Sequence, residues 1–152
     1  MLKISKADYD LIRWEARRSY PSECCGILLG RMDGNTRVVT MTVTCENART
    51  DSPENRYSIN PEQVIAAMKL ARSREENIVG FYHSHPDHPP RYSGTDLTEA
   101  HWFDCSYMIT SVEQGRVMAS RSYVLVGSEQ HKGFEEETIE LLEYEAVLPL
   151  AL

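Results

Sequence analysis

The sequence predicts an α+β domain, in which a mainly antiparallel sheet is flanked by helices. Segments of strand length outnumber segments with helical periodicity, and two of them are separated by the turn sequence Asp33-Gly34-Asn35. The chain of 152 residues shows no internal repeat and no linker long enough to divide it. We therefore expect a single domain spanning residues 1–152.

The first third of the chain predicts a helix followed by a β-hairpin. Residues 4–21, ISKADYDLIRWEARRSYP, carry apolar side chains at helical spacing. Ser5 and Asp8 have the spacing of a capping box, and Pro21 ends the pattern. The apolar run at 26–33 and the alternating segment TRVVTMTVTC then predict the two strands of the hairpin.

The middle of the chain predicts a polar loop at 47–56, a short strand at 56–59 and a second helix at 61–76. Asn60 is placed to cap this helix, and Pro61 suits its first position because that residue needs no hydrogen-bonded N–H.

The second half of the chain begins with NIVGFYH (77–83), a continuous apolar run that is short enough to be a buried strand. A proline-rich loop follows it. The remaining pattern predicts a short helix, two strands around a turn at 113–115, and a C-terminal helix, over residues 94–102, 105–112, 116–126 and 135–145.

The charge and composition exclude several classes of protein. The formal net charge of −7 argues against nucleic acid as a partner, because phosphate binding requires a basic patch. No apolar run reaches the roughly 20 residues that a membrane span requires, and the N-terminal segment lacks the apolar core of a signal peptide. A cytoplasmic protein without membrane contact is predicted, and its four cysteines are expected to be reduced thiols.

One loop, HSHPDHPPRYSGTD, holds three of the five histidines. His83 and His85 lie two residues apart at the end of the predicted buried strand, so both imidazoles point to one face. Asp96 comes eleven residues after His85, which is far enough to fold back as a third ligand. Two histidines and one carboxylate are a catalytic zinc set, which leaves the fourth tetrahedral position for water.

A closed, structural zinc site would instead need a fourth protein ligand, for which Cys24, Cys25 and His88 are candidates. A catalytic site needs a base for the water, and the sequence contains no H-E-x-x-H motif that would supply one. Glu23 is the best candidate, because a carboxylate between a helix end and an apolar strand is unusual without a task or a partner.

These residues together resemble the motif of the JAMM (MPN+) metalloprotease family. That motif is an upstream Glu, then H-x-H, seven residues, Ser, two residues and Asp. It matches here as Glu23, His83-Ser84-His85, PDHPPRY, Ser93, Gly94-Thr95 and Asp96. The segments PSECCGILLGR and GFYHSHP also resemble the small prokaryotic members. The resemblance covers roughly residues 1–130 and implies the curved, helix-flanked sheet of that family.

The resemblance also implies roles for the motif residues. His83, His85 and Asp96 would bind one Zn²⁺ per chain. Glu23 would take a proton from the attacking water and later give it to the leaving amine. Ser93 would donate a hydrogen bond to the oxyanion, a contribution of about 2.7–4 kcal/mol. The implied reaction is hydrolysis of a peptide or isopeptide bond without a covalent acyl-enzyme.

The implied substrate is a ubiquitin-like protein, because members of the family cleave bonds at the Gly-Gly tail of such proteins. This chain shows no insertion that would recognise a second ubiquitin, so a ubiquitin-like sulfur-carrier protein is the expected substrate. Two alternatives stay open: an isopeptidase that removes ubiquitin-like modifiers from lysines, and a non-enzymatic scaffold. The resemblance also allows a homodimer.

The same residues permit other interpretations. The Ser93 to Asp96 spacing is that of a helix capping box, which is the favoured interpretation on spacing alone. Cys24, beside Glu23, could be the nucleophile of a thiol enzyme that needs no metal. Cys24 or a loop could also block the metal in the resting enzyme.

Overall fold

The computed structural model describes residues 1–143, which form one eight-stranded sheet and three helices. The order of strands across the sheet is β7-β6-β5-β4-β2-β3-β1-β8, and the predicted α+β class is confirmed. The elements in chain order are β1 Leu2–Ser5, α1 Lys6–Ser19, β2 Cys25–Asp33, β3 Thr36–Cys45, α2 Pro61–Ser73, β4 Asn77–Pro86, α3 Gly94–Glu99, β5 Ser106–Glu113, β6 Arg116–Ser128, β7 His131–Glu137 and β8 Ile139–Leu142.

The sheet is mixed. The pairs β2–β3, β2–β4, β5–β6 and β6–β7 are antiparallel, whereas β4–β5, β1–β3 and β1–β8 are parallel. Strand β4 lies in the interior of the sheet, with hydrogen-bonded neighbours on both sides, and nine of its ten residues are buried. Hydrogen bonds along both edges of β4 therefore fix the directions in which its side chains point.

Hydrophobic clusters cover the two faces of the sheet. On one face, Ala67 and Ala71 of α2 pack with Ile27, Leu29 and other buried side chains. On the other face, α1 packs with Leu28 and its neighbours. The alternation of Ile27, Leu28 and Leu29 between the two clusters follows from the two-residue period of a strand. His83 and His85 can therefore be assigned to a face of the sheet by their position along β4.

Both long helices begin at the predicted caps. The Ser5 hydroxyl accepts a hydrogen bond from the Asp8 N–H at 3.0 Å, and the side-chain Oδ1 of Asn60 accepts one from the Glu62 N–H at 3.0 Å. Helix α2 ends at Ser73 rather than at residue 76. Glu75 has a φ of 58°, which is incompatible with continuation of the α-helix. No helix within residues 1–143 is long and apolar enough to cross a membrane.

The predicted C-terminal helix over 135–145 is wrong for the residues that the structure describes. Strands β7 and β8 occupy this region, and residues 144 and 145 lie outside the described part. The run of glutamates favoured a helix, but Glu137 points inward to the Arg37 guanidinium at 3.6 Å and accepts hydrogen bonds from Ser106 and Ser122. Sheet pairing and this polar cluster override the local preference for helix.

Three further expectations are corrected. Residues 56–59 belong to no strand. Residues 2–5, assigned in part to the first helix, form strand β1. Strand β4 continues to Pro86, three residues beyond the predicted end at residue 83, so the H-x-H motif lies inside a strand. This extension decides how the site is built.

Candidate metal centre

The two histidines of the H-x-H motif project from strand β4 toward the same face of the sheet. His83 pairs with Cys25 on β2 and with Ile109 on β5, while His85 pairs with Ser111 on β5. The exposed fractions of His83 and His85 are 1% and 7%, so both rings are removed from bulk water. Their two-residue spacing places the rings side by side, as the sequence predicted.

The third member of the site comes from helix α3. Ser93 caps this helix in a full capping box, in which its hydroxyl accepts from the Asp96 N–H and the Asp96 carboxylate accepts from the Ser93 N–H. The same carboxylate reaches both histidines: Oδ1 lies 3.3 Å from Nε2 of His83, and Oδ2 lies 3.0 Å from Nε2 of His85. Asp96 therefore serves as a helix cap, and the same carboxylate is also placed where a shared metal ligand would lie.

The donor atoms fit a metal ion. Nδ1 of His85 lies 2.9 Å from the Pro89 carbonyl oxygen, which can only accept, so this nitrogen carries the proton and Nε2 of the neutral ring presents a lone pair. That lone pair faces the Asp96 carboxylate, and the two histidine Nε2 atoms are 3.2 Å apart. A tetrahedral Zn²⁺ with bonds of about 2.0–2.1 Å needs ligand atoms roughly 3.3 Å apart. A cation bound between the three groups would offset the electrostatic repulsion between ligand atoms that otherwise face one another.

The surroundings of His83 and Asp96 favour the protonation states that a metal ligand requires. Burial lowers the pKa of the His83 imidazole, which favours the neutral ring that a metal requires. Burial alone would raise the pKa of the Asp96 carboxyl, but the adjacent His83 and His85 rings and the hydrogen bond from the Ser93 N–H outweigh it and hold that pKa well below its usual range. Asp96 is therefore a carboxylate at neutral pH.

Glu23 lies just before strand β2, two residues from Cys25, which pairs with His83. Only 4% of Glu23 is exposed, and its Oε1 atom is buried without a hydrogen-bond partner among residues 1–143. Burial, with the nearby charges of Asp96 and Glu99, raises the pKa of the Glu23 carboxyl to about 9. A buried, unpartnered carboxyl that holds its proton near neutral pH has the properties of a proton-transfer group.

The other candidate ligands and nucleophiles do not join this group of side chains. Cys24 packs in the cluster with Leu28 and Tyr82, on the face of the sheet opposite to His83, and burial raises the pKa of its thiol to about 12. Cys25 is buried in the core, and His88 is exposed on the loop. Among residues 1–143, the His, Cys, Asp and Glu side chains that converge as a metal group are His83, His85 and Asp96.

Two contributors to the site were missed from the sequence. The ring of Tyr57 stacks on the His83 imidazole, with the ring centroids 4.4 Å apart. The Asn47 side chain bonds to the backbone of Glu23 and of the loop that carries Tyr57. Tyr57 lies in a segment that was expected to be a strand, and Asn47 lies in a predicted polar loop. The residues around them do not indicate that either one contributes to the site.

A cavity of about 400 Å³ is lined in part by Tyr57, whose ring stacks on the His83 imidazole. Four aromatic side chains line the cavity, together with the polar side chains of Arg49 and Glu99; the aromatic residues are Tyr57, Phe81, Trp102 and Tyr107.

The mixed sheet and the histidine–carboxylate group beside a buried glutamate define an α+β domain of the JAB/MPN class. The model of the prokaryotic homologues of the JAB domain matches residues 5–126. The chain belongs to this family, and the predicted resemblance to small prokaryotic JAMM/MPN+ proteins is confirmed.

Individual proteins show the same relationship. A desampylase from Haloferax volcanii is 36% identical over 99 residues, which cover 65% of this chain and 68% of the relative. COP9 signalosome complex subunit 5 from Gibberella zeae is 31% identical over 102 residues, which cover 65% of this chain but only 30% of the relative.

Solved structures share the fold. The solution structure of a Desulfitobacterium hafniense protein superposes with a TM-score of 0.82 at 31% identity, covering 96% of each chain. A JAB1/MPN domain protein from Archaeoglobus fulgidus superposes with a TM-score of 0.58 at 18% identity, covering 94% of this chain and 98% of that one.

Proposed function

We propose that the protein is a zinc-dependent peptidase that hydrolyses the peptide or isopeptide bond after the C-terminal Gly-Gly tail of a ubiquitin-like protein. One observation carries the proposal: the donor atoms of His83, His85 and Asp96 converge beside the buried, unpartnered carboxyl of Glu23. The desampylase and signalosome relatives support hydrolysis of bonds to ubiquitin-like modifiers. A sulfur-carrier protein is the substrate that we favour, because the sequence shows no insertion that would recognise a second ubiquitin.

The roles of the residues follow from their positions. His83, His85 and Asp96 would hold the Zn²⁺, which when bound makes a water molecule acidic enough to lose its proton near pH 7. A bound dication lowers the pKa of a neighbouring carboxyl, so Glu23 would then be ionised and could take up that proton and pass it to the leaving amine. Because Oε1 of Glu23 has no hydrogen-bond partner among residues 1–143, no competing hydrogen bond from the described protein occupies that oxygen.

Ser93 has a second role besides the cap. Its oxygen already accepts from the Asp96 N–H, and a hydroxyl can accept and donate at once. The hydroxyl proton is therefore free to stabilise the negative oxygen that forms during hydrolysis, which is the role that the family motif implies.

The test of the function is cleavage of two substrates that share one ubiquitin-like protein with a Gly-Gly tail. In the first, a peptide follows the tail in a linear fusion; in the second, the tail is joined to a lysine side chain. The zinc-loaded protein should release the intact Gly-Gly terminus from at least one of them, as measured by mass spectrometry. A tail changed from Gly-Gly to Val-Val should resist. If neither Gly-Gly substrate is cleaved, the proposal is wrong; preference for the second would identify an isopeptidase.

Substitution of Ser93 by Ala should slow the reaction by about 10²–10³-fold while zinc is retained, because one oxyanion donor is lost. The same change removes a helix cap and should cost about 1 kcal/mol of unfolding free energy. Ser5→Ala is the matched control, since it removes an equivalent cap from α1. It should lower stability to a similar extent without changing kcat, and Ser93→Thr should keep both properties. Equal effects of the Ser5 and Ser93 variants on kcat would remove Ser93 from the mechanism.

A further inference from the structure

We propose that Asn47 is a positioning residue that locks the loop 47–58 against the metal centre and so fixes both Glu23 and Tyr57. The inference rests on the proposed function and adds to it a residue outside the family motif. It is carried by the four hydrogen bonds of one half-buried side chain.

The amide of Asn47 closes the loop across its base. Its oxygen accepts from the N–H groups of Arg49 and Ser58, at 3.0 and 3.1 Å. Its nitrogen donates to the Arg56 carbonyl oxygen at 3.0 Å. The next residue contributes as well, since the Ala48 N–H donates to the Ser58 carbonyl oxygen at 2.8 Å. Both ends of the loop are thereby joined at one point.

This closure fixes the ring beside the metal group. Tyr57 lies between Arg56 and Ser58, which are the two residues that the Asn47 side chain binds on the far side of the loop. The backbone on either side of Tyr57 is therefore held, and its ring stays stacked on the His83 imidazole at a centroid distance of 4.4 Å. His83 in turn presents its Nε2 atom to Asp96.

The second hydrogen of the same amide nitrogen reaches Glu23. It donates to the Glu23 carbonyl oxygen at 3.3 Å, and the Glu23 N–H donates to the Pro53 carbonyl oxygen of the same loop at 2.7 Å. Glu23 precedes β2, so the ladder of the sheet does not bind these two backbone groups. The loop, closed by Asn47, is what holds the proposed base in place.

The chain offers two informative substitutions at this position. Asn47→Ala removes all four hydrogen bonds. Asn47→Asp keeps an acceptor for Arg49 and Ser58 but places an oxygen, instead of an N–H donor, against the carbonyl oxygens of Glu23 and Arg56. Asn55→Ala is the matched control, because Asn55 is exposed on the same loop and its side chain has no hydrogen bond to residues 1–143.

Both Asn47 variants should bind one zinc and lose roughly 10- to 100-fold in kcat with little change in KM, because a small displacement of reacting groups slows the chemistry without removing substrate contacts. A second readout is independent of activity. In metal-free protein, trypsin should cut after Arg49 and Arg56 faster in the Asn47 variants than in wild type, because cleavage tracks opening of the loop. Asn55→Ala should match wild type in both measurements.

Wild-type kcat in either Asn47 variant would overturn the inference, and so would unchanged proteolysis at Arg49 and Arg56. If Asn47→Ala does not fold, Asn47→Asp decides. Absence of turnover in wild type would defeat the proposed function instead. The proteolysis would then decide by itself whether Asn47 locks the loop.

Discussion

Substitution of Glu23 by Gln should abolish turnover and leave zinc binding intact. Gln keeps the size of the side chain but cannot take a proton from water, and loss of general acid–base catalysis typically costs about 10²–10⁴-fold in rate. Zinc should remain at one per chain because Glu23 is not among the three converging ligands. The measurement is kcat on a Gly-Gly-tailed substrate beside zinc content of the same sample.

Loss of folding cannot explain such a result. The pKa of the Glu23 carboxyl is raised by burial to about 9, above its ordinary value of 4.5. The folded metal-free protein therefore binds this proton more tightly than the unfolded chain does. Between pH 4.5 and about pH 9, ionisation of Glu23 favours the unfolded chain, so the free energy of unfolding falls as pH rises. Gln does not ionise, so the variant should be at least as stable as wild type at pH 8.

Glu15→Gln is the matched control for this experiment. Glu15 is also buried, but it accepts a hydrogen bond from the Tyr82 hydroxyl within the cluster on the opposite face of the sheet. Gln can accept the same bond, so turnover should be preserved. Full activity in the Glu23 variant would show that another group takes the proton.

Substitution of His85 by Ala should remove the zinc. Two ligands, His83 and Asp96, then remain on the protein, and a catalytic zinc site needs three. Elemental analysis should find one zinc per wild-type chain and essentially none in the variant. Activity should vanish with the metal, and the thermal stabilisation that added zinc gives to the wild-type protein should vanish too.

His101→Ala separates this effect from the loss of any histidine. His101 is exposed and lies 3.0 Å from the exposed carboxylate of Glu129, away from the three ligands. The zinc content of the His101→Ala variant should equal that of wild type. Stoichiometric zinc in the His85 variant, or none in the wild-type protein after reconstitution, would refute the proposed metal centre.

The sequence predicts the histidine pair well because its geometry is local. A spacing of two residues inside a strand fixes the direction of His83 and His85 whatever the rest of the chain does. Asp96 is also predicted locally, because a capping box fixes the side chain relative to its own helix. Bringing that helix to the strand depends on tertiary structure, and here the family motif supplied what local spacing could not.

The parts that were missed depend on contacts between distant segments. Asn47 bonds to Glu23, 24 residues earlier, and to Ser58, 11 residues later. Neither neighbour is indicated by the residues around Asn47. The C-terminal segment was predicted as a helix for the same reason, since parallel pairing of β8 with β1 joins the two ends of the described chain. Local propensity carries no information about such pairing.

The three proposed ligands differ in how firmly the fold holds them. His83 and His85 stand on a strand that is bonded on both edges, whereas Asp96 stands on a helix of six residues. A helix this short is not stable by itself in water and depends on its cap and its neighbours. A metal ion held by all three groups would therefore tie α3 to β4, and its removal should loosen the helix before it affects the strand.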